Sequence, residues 1–149
     1  MYTNLLVPTD GTKLSDKAVA HALGLAKALK AKIAVVYAAP TFTPEALFDG
    51  GGALPGRTSK AEYAALEARK AASILKAVAT KAAAAKVRCT TTTVIADAPW
   101  EAIIAAARKQ KCDAIVMASH GRSGVSALLL GSETQKVLTH SKIPVVVVR

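Results

Sequence analysis

An α/β fold built on a parallel sheet is predicted for this chain by three observations. Short apolar, β-branched runs alternate with helix-like segments along all 149 residues, the pattern of a sheet joined by right-handed crossovers. The run Lys32–Ala38 is continuously apolar instead of alternating, as expected of a strand buried on both faces. Apolar residues make up 52% of the chain and charged residues 20%, a globular composition.

Taken in order, Asn4–Pro8 reads as a short apolar strand ended by proline, and Thr9-Asp10-Gly11-Thr12 as a turn. A helix is expected from about Ser15 to Ala31, with Val19, Ala22, Leu23, Ala26 and Leu29 at three- and four-residue steps. Lys32–Ala38 is the second strand. From Pro40 to about Ser59 the chain turns rich in proline and glycine, including Gly50-Gly51-Gly52, and reads as a mobile loop that either lies over a ligand or is disordered. Lys60–Ala85, rich in Ala, Glu and Lys, reads as a long helix. Val87–Ile95, with threonine from Thr90 to Thr93, is the third strand. Pro99 suits the first turn of a third helix whose stripe of Trp100, Ile103, Ile104 and Ala107 is core packing. Asp113–Met117 is the fourth strand, Ser132–His140 a short helix and Ile143–Val148 the fifth strand.

At 15.3 kDa, residues 1–149 are expected to form one domain with a real core. No apolar run approaches a membrane span, and the start of the chain has neither the basic nor the apolar stretch of a secretory leader. Cys89 and Cys112 lie in separate elements without CxxC spacing, so buried thiols of a cytoplasmic protein are expected in preference to a disulfide or metal site. The net charge of +10 attracts polyanions non-specifically. Aromatics are only 4%, too few for base stacking, and the lysines and arginines are spread along several helices. No dedicated nucleic-acid function is expected.

The stretch Val116–Thr134, VMASHGRSGVSALLLGSET, carries the chemistry. It leaves a buried strand, passes through small and polar residues, and ends at Gly131-Ser132 before a helix. Ser132 with Gln135 three residues later has the pattern of a capping box, which makes Ser132 the expected N-cap. A small-residue loop lets backbone N–H groups face an anion, and the helix start adds unpaired N–H groups and a positive dipole end. Two readings stay open on local features: a phosphate site, or a tight connection in which glycine supplies φ > 0. Leu128, Leu129 and Leu130 are hard to leave in solvent, so part of the loop is expected to coil and pack back. Arg122 either pairs with a phosphate or is a solvated loop arginine.

Ala118-Ser119-His120-Gly121, nine residues, then Gly131-Ser132 resembles the Gly-x-x-Gly, nine residues, Gly-Ser/Thr signature of the universal stress protein family. The resemblance covers essentially the whole chain and suggests a single-domain, bacterial-type member. It departs at Ala118, where nucleotide-binding members carry the first glycine. The resemblance implies an open, doubly wound, Rossmann-like sheet of five parallel strands in the order 3-2-1-4-5. Strands 1 and 4 are then neighbours at the switch point, where ligands bind outside the strand carboxyl ends, and Pro8, Thr9 and Asp10 come beside Met117 and Ala118. It further implies ATP, with or without Mg2+, as ligand. Asp10 would accept from ribose hydroxyls or, alternatively, serve as a turn residue bonding its own backbone. Ala38 would touch the adenine, with backbone around Thr9 and Met117. Gly121, Gly131, Ser132, Glu133 and Thr134 would surround ribose and phosphates. Ala118 matters if its position needs φ > 0, and less if the backbone merely approaches a phosphate.

Enzyme motifs fail on spacing. A nucleophile elbow needs glycine where Met117 stands, and a Walker A loop needs lysine where Ser132 stands. Adjacent Ser119 and His120 are expected to point apart on an extended segment, which argues against a dyad. His21, His120 and His140 lack metal-ligand spacing. Val145–Val148 is a hazard as an unpaired edge, and the resemblance implies dimerisation through that strand; a homodimer is expected on both grounds. The reading is a cytoplasmic, ATP-binding stress regulator or sensor without ordinary catalysis. The alternatives are a nucleotide-free structural dimer acting through protein contacts and a slow nucleotide hydrolase.

Overall fold

The structure, a computed structural model, describes residues 1–42, 59–120 and 130–149. The body of the expected 40–59 loop, residues 43–58, lies outside the described residues, as do Gly121, Arg122, Leu128 and Leu129. The elements run β1 (Asn4–Pro8), α1 (Lys13–Leu29), β2 (Lys32–Ala39), α2 (Lys60–Ala84), β3 (Cys89–Ile95), α3 (Pro99–Lys109), β4 (Ala114–Ala118), α4 (Ser132–His140) and β5 (Val145–Val148). The strands form one parallel sheet in the order β3-β2-β1-β4-β5, as the resemblance implied.

The alternation of side chains along each strand divides the core. Leu5, Val7, Ile33, Val35, Tyr37 and Val116 pack under α1 and α2, while Leu6, Ala34, Val36, Ile115 and Met117 pack under α3 and α4. β2 is buried from Ile33 through Tyr37, as its unbroken apolar run requires. The stripe on α3 is core: Ile103, Ile104 and Ala107 are buried, and Trp100 packs on the second cluster, half-buried, with its ring 4.7 Å from that of His140.

Several boundaries differ from expectation for local reasons. α1 begins at Lys13, not Ser15, because Thr12 is its cap: Thr12 Oγ1 accepts from Ser15 N–H at 3.2 Å. β3 begins at Cys89, because Val87 is still bonded to the end of α2, its N–H donating to Ala82 O. β5 begins at Val145. α2 has a full capping box, Ser59 with Glu62 at 2.7 and 3.2 Å.

The amino ends of the strands are tied by polar contacts. Asp113 accepts from Thr3 N–H and Thr3 Oγ1, both 2.7 Å, and from Asn4 N–H, 3.1 Å. Burial raises the Asp113 carboxyl, but these bonds outweigh it and hold it below the usual carboxylate range. Asn4 Nδ2 donates to Gln110 O at 2.8 Å. Both cysteines are free. Burial, with the Asp113 charge beside it, pushes the Cys112 thiol up to about 11, and burial also raises Cys89. No helix among the described residues is long and apolar enough to cross a membrane.

Candidate functional site

The carboxyl ends of β1, β2 and β4 bring most of the expected residues to one crevice. The register Leu6↔Ile115 carries Pro8 and Thr9 on toward Met117 and Ala118, and Thr9 N–H donates to Val36 O at 3.0 Å, holding the turn beside β2. Ala38, half-buried near the end of β2, borders the same side. Gly131, Ser132, Glu133 and Thr134 open α4 directly behind β4.

The turn after β1 is built by its own side chains. Thr9, buried, has its hydroxyl 3.1 Å from Ser15 Oγ and accepts from Gly11 N–H at 3.3 Å. Asp10 Oδ1 accepts from Thr12 N–H at 3.0 Å and Thr12 Oγ1 at 2.7 Å. That is the turn role weighed for Asp10 from sequence, fulfilled by one carboxylate oxygen. Gly11 has φ +77°, which favours glycine here; a Cβ on it would also stand 2.6 Å from the movable tip of Ile74, Cδ1.

Ser119 ties the loop at its base. Its N–H donates to Val148 O and its carbonyl accepts from Gly131 N–H, both at 2.8 Å. This bond brings Gly131 so close that an added Cβ would lie 3.0 Å from His120 Cα and 3.1 Å from its Cβ. The N-cap of α4 is therefore Gly131, with Gln135 N–H bonded to Gly131 O, and Ser132 is the first helical residue, not the cap expected from its pattern. The physical reason is the Ser119 bond, which sets Gly131 at the entry to the helix. A glycine cap offers no side chain to the first-turn N–H groups, so an anion can meet them.

Two expected residues use their side chains elsewhere. Thr134, buried, donates from Oγ1 to Ala118 O at 3.0 Å. Glu133 Oε2 accepts from Trp100 N–H at 2.9 Å and Oε1 lies 3.2 Å from Lys136 Nζ, so the carboxylate caps α3. Only their backbones remain to meet a ligand. Ala118 is a strand residue paired with Val148, outside the left-handed region. Its position needs no positive φ, and the open question about it becomes one of space alone. Gly121 and Arg122, the remaining expected site residues, lie outside the described residues.

The expectation that Ser119 and His120 point apart is corrected. Ser119 Oγ lies 3.2 Å from His120 Nδ1. The chain has left the strand at this point, so the alternation of an extended segment no longer applies. Sequence reasoning also missed Thr12, Ser15 and the backbone of Ser119. The signal for Thr12 was present: a small hydroxyl residue just after Asp-Gly and three before a serine.

The sequence profile of the universal stress protein family matches residues 1–149. A universal stress protein encoded in the QAH/OAS sulfhydrylase 3′ region of Thermus aquaticus is 32% identical over 152 residues, covering all of both chains. Among solved structures, the hypothetical protein MJ0577 of Methanocaldococcus jannaschii superposes with a TM-score of 0.79 at 23% identity, covering 99% of this chain and 96% of that one. A universal stress protein in complex with cAMP superposes with a TM-score of 0.67 at 26% identity, covering 99% and 97%.

Proposed function

The chain belongs to the universal stress protein family, and from that membership we propose that its β1–β4 crevice binds an adenine nucleotide, ATP with or without Mg2+. The carrying observation is the contact of Gly131 with His120, 3.0 Å from a notional Cβ. It keeps side chains away from the start of α4 and leaves first-turn N–H groups and the positive dipole end facing the crevice. The relative in complex with cAMP supports an adenine nucleotide as the ligand class. Bound there, ATP would supply the negative charge that those N–H groups are arranged to meet.

In this reading Pro8, Thr9, Ala38 and Met117 frame the base. Asp10 faces ribose or a magnesium ion, and Gly131, Ser132, Glu133 and Thr134 act through backbone. Gly121 and Arg122 extend the phosphate loop. We propose further that the nucleotide serves as a regulatory signal in a stress response, in the cytoplasm, and is not turned over. A homodimer through β5 completes the reading: Val145–Val148 is an apolar edge strand, bonded to β4 on one side and half-exposed.

A second reading, a nucleotide-free structural dimer of the same fold, is favoured by Ala118 and by the inward commitments of Thr134 and Glu133. Purified protein separates the two. The supernatant after denaturation is run on anion exchange, and stripped protein is titrated calorimetrically with Mg-ATP. Co-purified adenine nucleotide or micromolar binding supports the first reading. A clean supernatant with no heat at millimolar ATP removes it and leaves the second. A concentration-independent mass of one chain by light scattering would remove the dimer.

A further inference from the structure

Among the described residues, three that are not glycine have a left-handed backbone: Lys30 (φ 55°), Lys86 (58°) and Lys111 (53°). All are lysines, and each stands where a helix turns back to feed a strand. The bonding is the same each time. Ala31 N–H reaches Ala26 O, Val87 N–H reaches Ala82 O and Cys112 N–H reaches Ala107 O, at 2.9, 2.9 and 2.8 Å. The lysine's own N–H bonds to the carbonyl three residues back. Glycine is the usual residue at such a cap, because it has no Cβ to strain the left-handed turn. Lysine adds nothing to the backbone bonding that glycine would not. Strained backbone retained at one end of a molecule points to a use for the side chain.

Two of these lysines share a hollow. A cavity of about 260 Å³ lies between the α1–β2 and α2–β3 turns and is lined by Lys27, Lys30, Lys86 and Arg88, with alanine and valine between them. The lining holds no acid, and among the described residues none of the four cations makes an ion pair. A helix dipole explains one cation in a last turn, such as Lys27. It does not explain four gathered on one hollow, where like charges repel.

We propose that this hollow, at the amino ends of the strands and opposite the crevice, binds a free, compact polyphosphate anion. The cavity is below the roughly 300–1,000 Å³ of drug-sized ligand pockets, which suits phosphate groups without a nucleoside. Arg88 supplies the planar fork that pairs with two phosphate oxygens, and the three lysines supply point charges.

The test uses the full chain and inorganic tripolyphosphate, titrated calorimetrically at low ionic strength. Three proteins are compared: the wild type, the Lys30→Gly/Lys86→Gly double variant, and Lys111→Gly. Glycine suits the left-handed position, so both variants are expected to melt at the wild-type temperature or higher, which separates lost binding from lost folding. Affinity should fall roughly tenfold for each lysine removed from the hollow. Lys111 has the same strained cap but does not line the hollow, so its variant should stay within about twofold of wild type. No binding by the wild type, binding retained by the double variant, or the same loss per lysine in Lys111→Gly as in the double variant would each overturn the proposal. The last outcome would mean that net charge alone is at work.

Discussion

Every described helix presents its first turn at the carboxyl ends of the strands, and each first turn carries an acid: Asp16, Glu62, Glu101 and Glu133. The opposite end receives every last turn, with Lys27, Arg108, Lys109 and His140, and the three left-handed lysines besides, whereas Lys81 pairs back to Asp16 at 3.1 Å. Each helix thus carries an acid in its first turn and a base in its last, although Lys13 and Lys60 also open α1 and α2 and Asp113 lies among the cations. Among the described residues, an anion held in the crevice would be met chiefly by backbone N–H groups and helix dipole, where geometry decides. Any anion held at the far end is met by side-chain charge, where number and salt decide. One sheet therefore separates two ways of meeting negative charge.

The comparison breaks most completely if the shared frame is cut. Leu6 is fully buried in the central strand under α3 and α4, and Leu6→Ala is expected to cost about 2–5 kcal/mol in urea unfolding, degrading both ends together. A selective break comes from Gly131→Ala. Its methyl meets the His120 backbone at 3.0 Å, so a loss of about 1–3 kcal/mol is expected, together with loss of Mg-ATP binding in calorimetry and no change at the lysine end. The smallest effect sharpens the other side. Asp113 is the acid tied to Thr3 and Asn4 at the cationic end. Its folded carboxyl lies below the ordinary value of about 3.9. A depressed pKa gives stability that is full above the unfolded value and is lost as pH falls through the folded one. Urea midpoints of wild type and Asp113→Asn should therefore differ at neutral pH and converge in acid below that ordinary value.

The strands were legible because most are apolar runs, and β3 is a run of β-branched threonines; β2 needed nothing more. Their order was not, since any parallel sheet with crossovers satisfies the same pattern, and it came from the resemblance carried by Gly131-Ser132 and the spacing before it. The crevice was legible as a place more than as a geometry. Ser132 fits the capping pattern, yet a bond from Gly131 to Ser119, 12 residues back, decided the cap. Glu133 reads as a site carboxylate, yet Trp100 N–H claims it. Both outcomes depend on contacts between segments that sequence distance conceals. The lysine end was hidden for the same reason. Its cations are dispersed along the chain and become neighbours only when each helix returns its carboxyl end to the same side of the sheet. Sequence rules also expect glycine or asparagine at such caps, so lysine gave no signal.

Ser119 has a mechanical consequence. Its N–H holds the end of β5 through Val148, and its carbonyl holds the entry of α4 through Gly131, both at 2.8 Å. One peptide residue is thus the rivet between the edge strand and the helix that faces the crevice. A shift of β5, whether by a neighbouring strand added to that edge or by a slip in its register, pulls on Ser119 and through it on Gly131. Conversely, whatever spreads the entry of α4 tugs the last paired residues of β5. Events at the sheet edge and in the crevice therefore share a linkage three residues long in contact, although 29 residues separate Ser119 from Val148 along the chain.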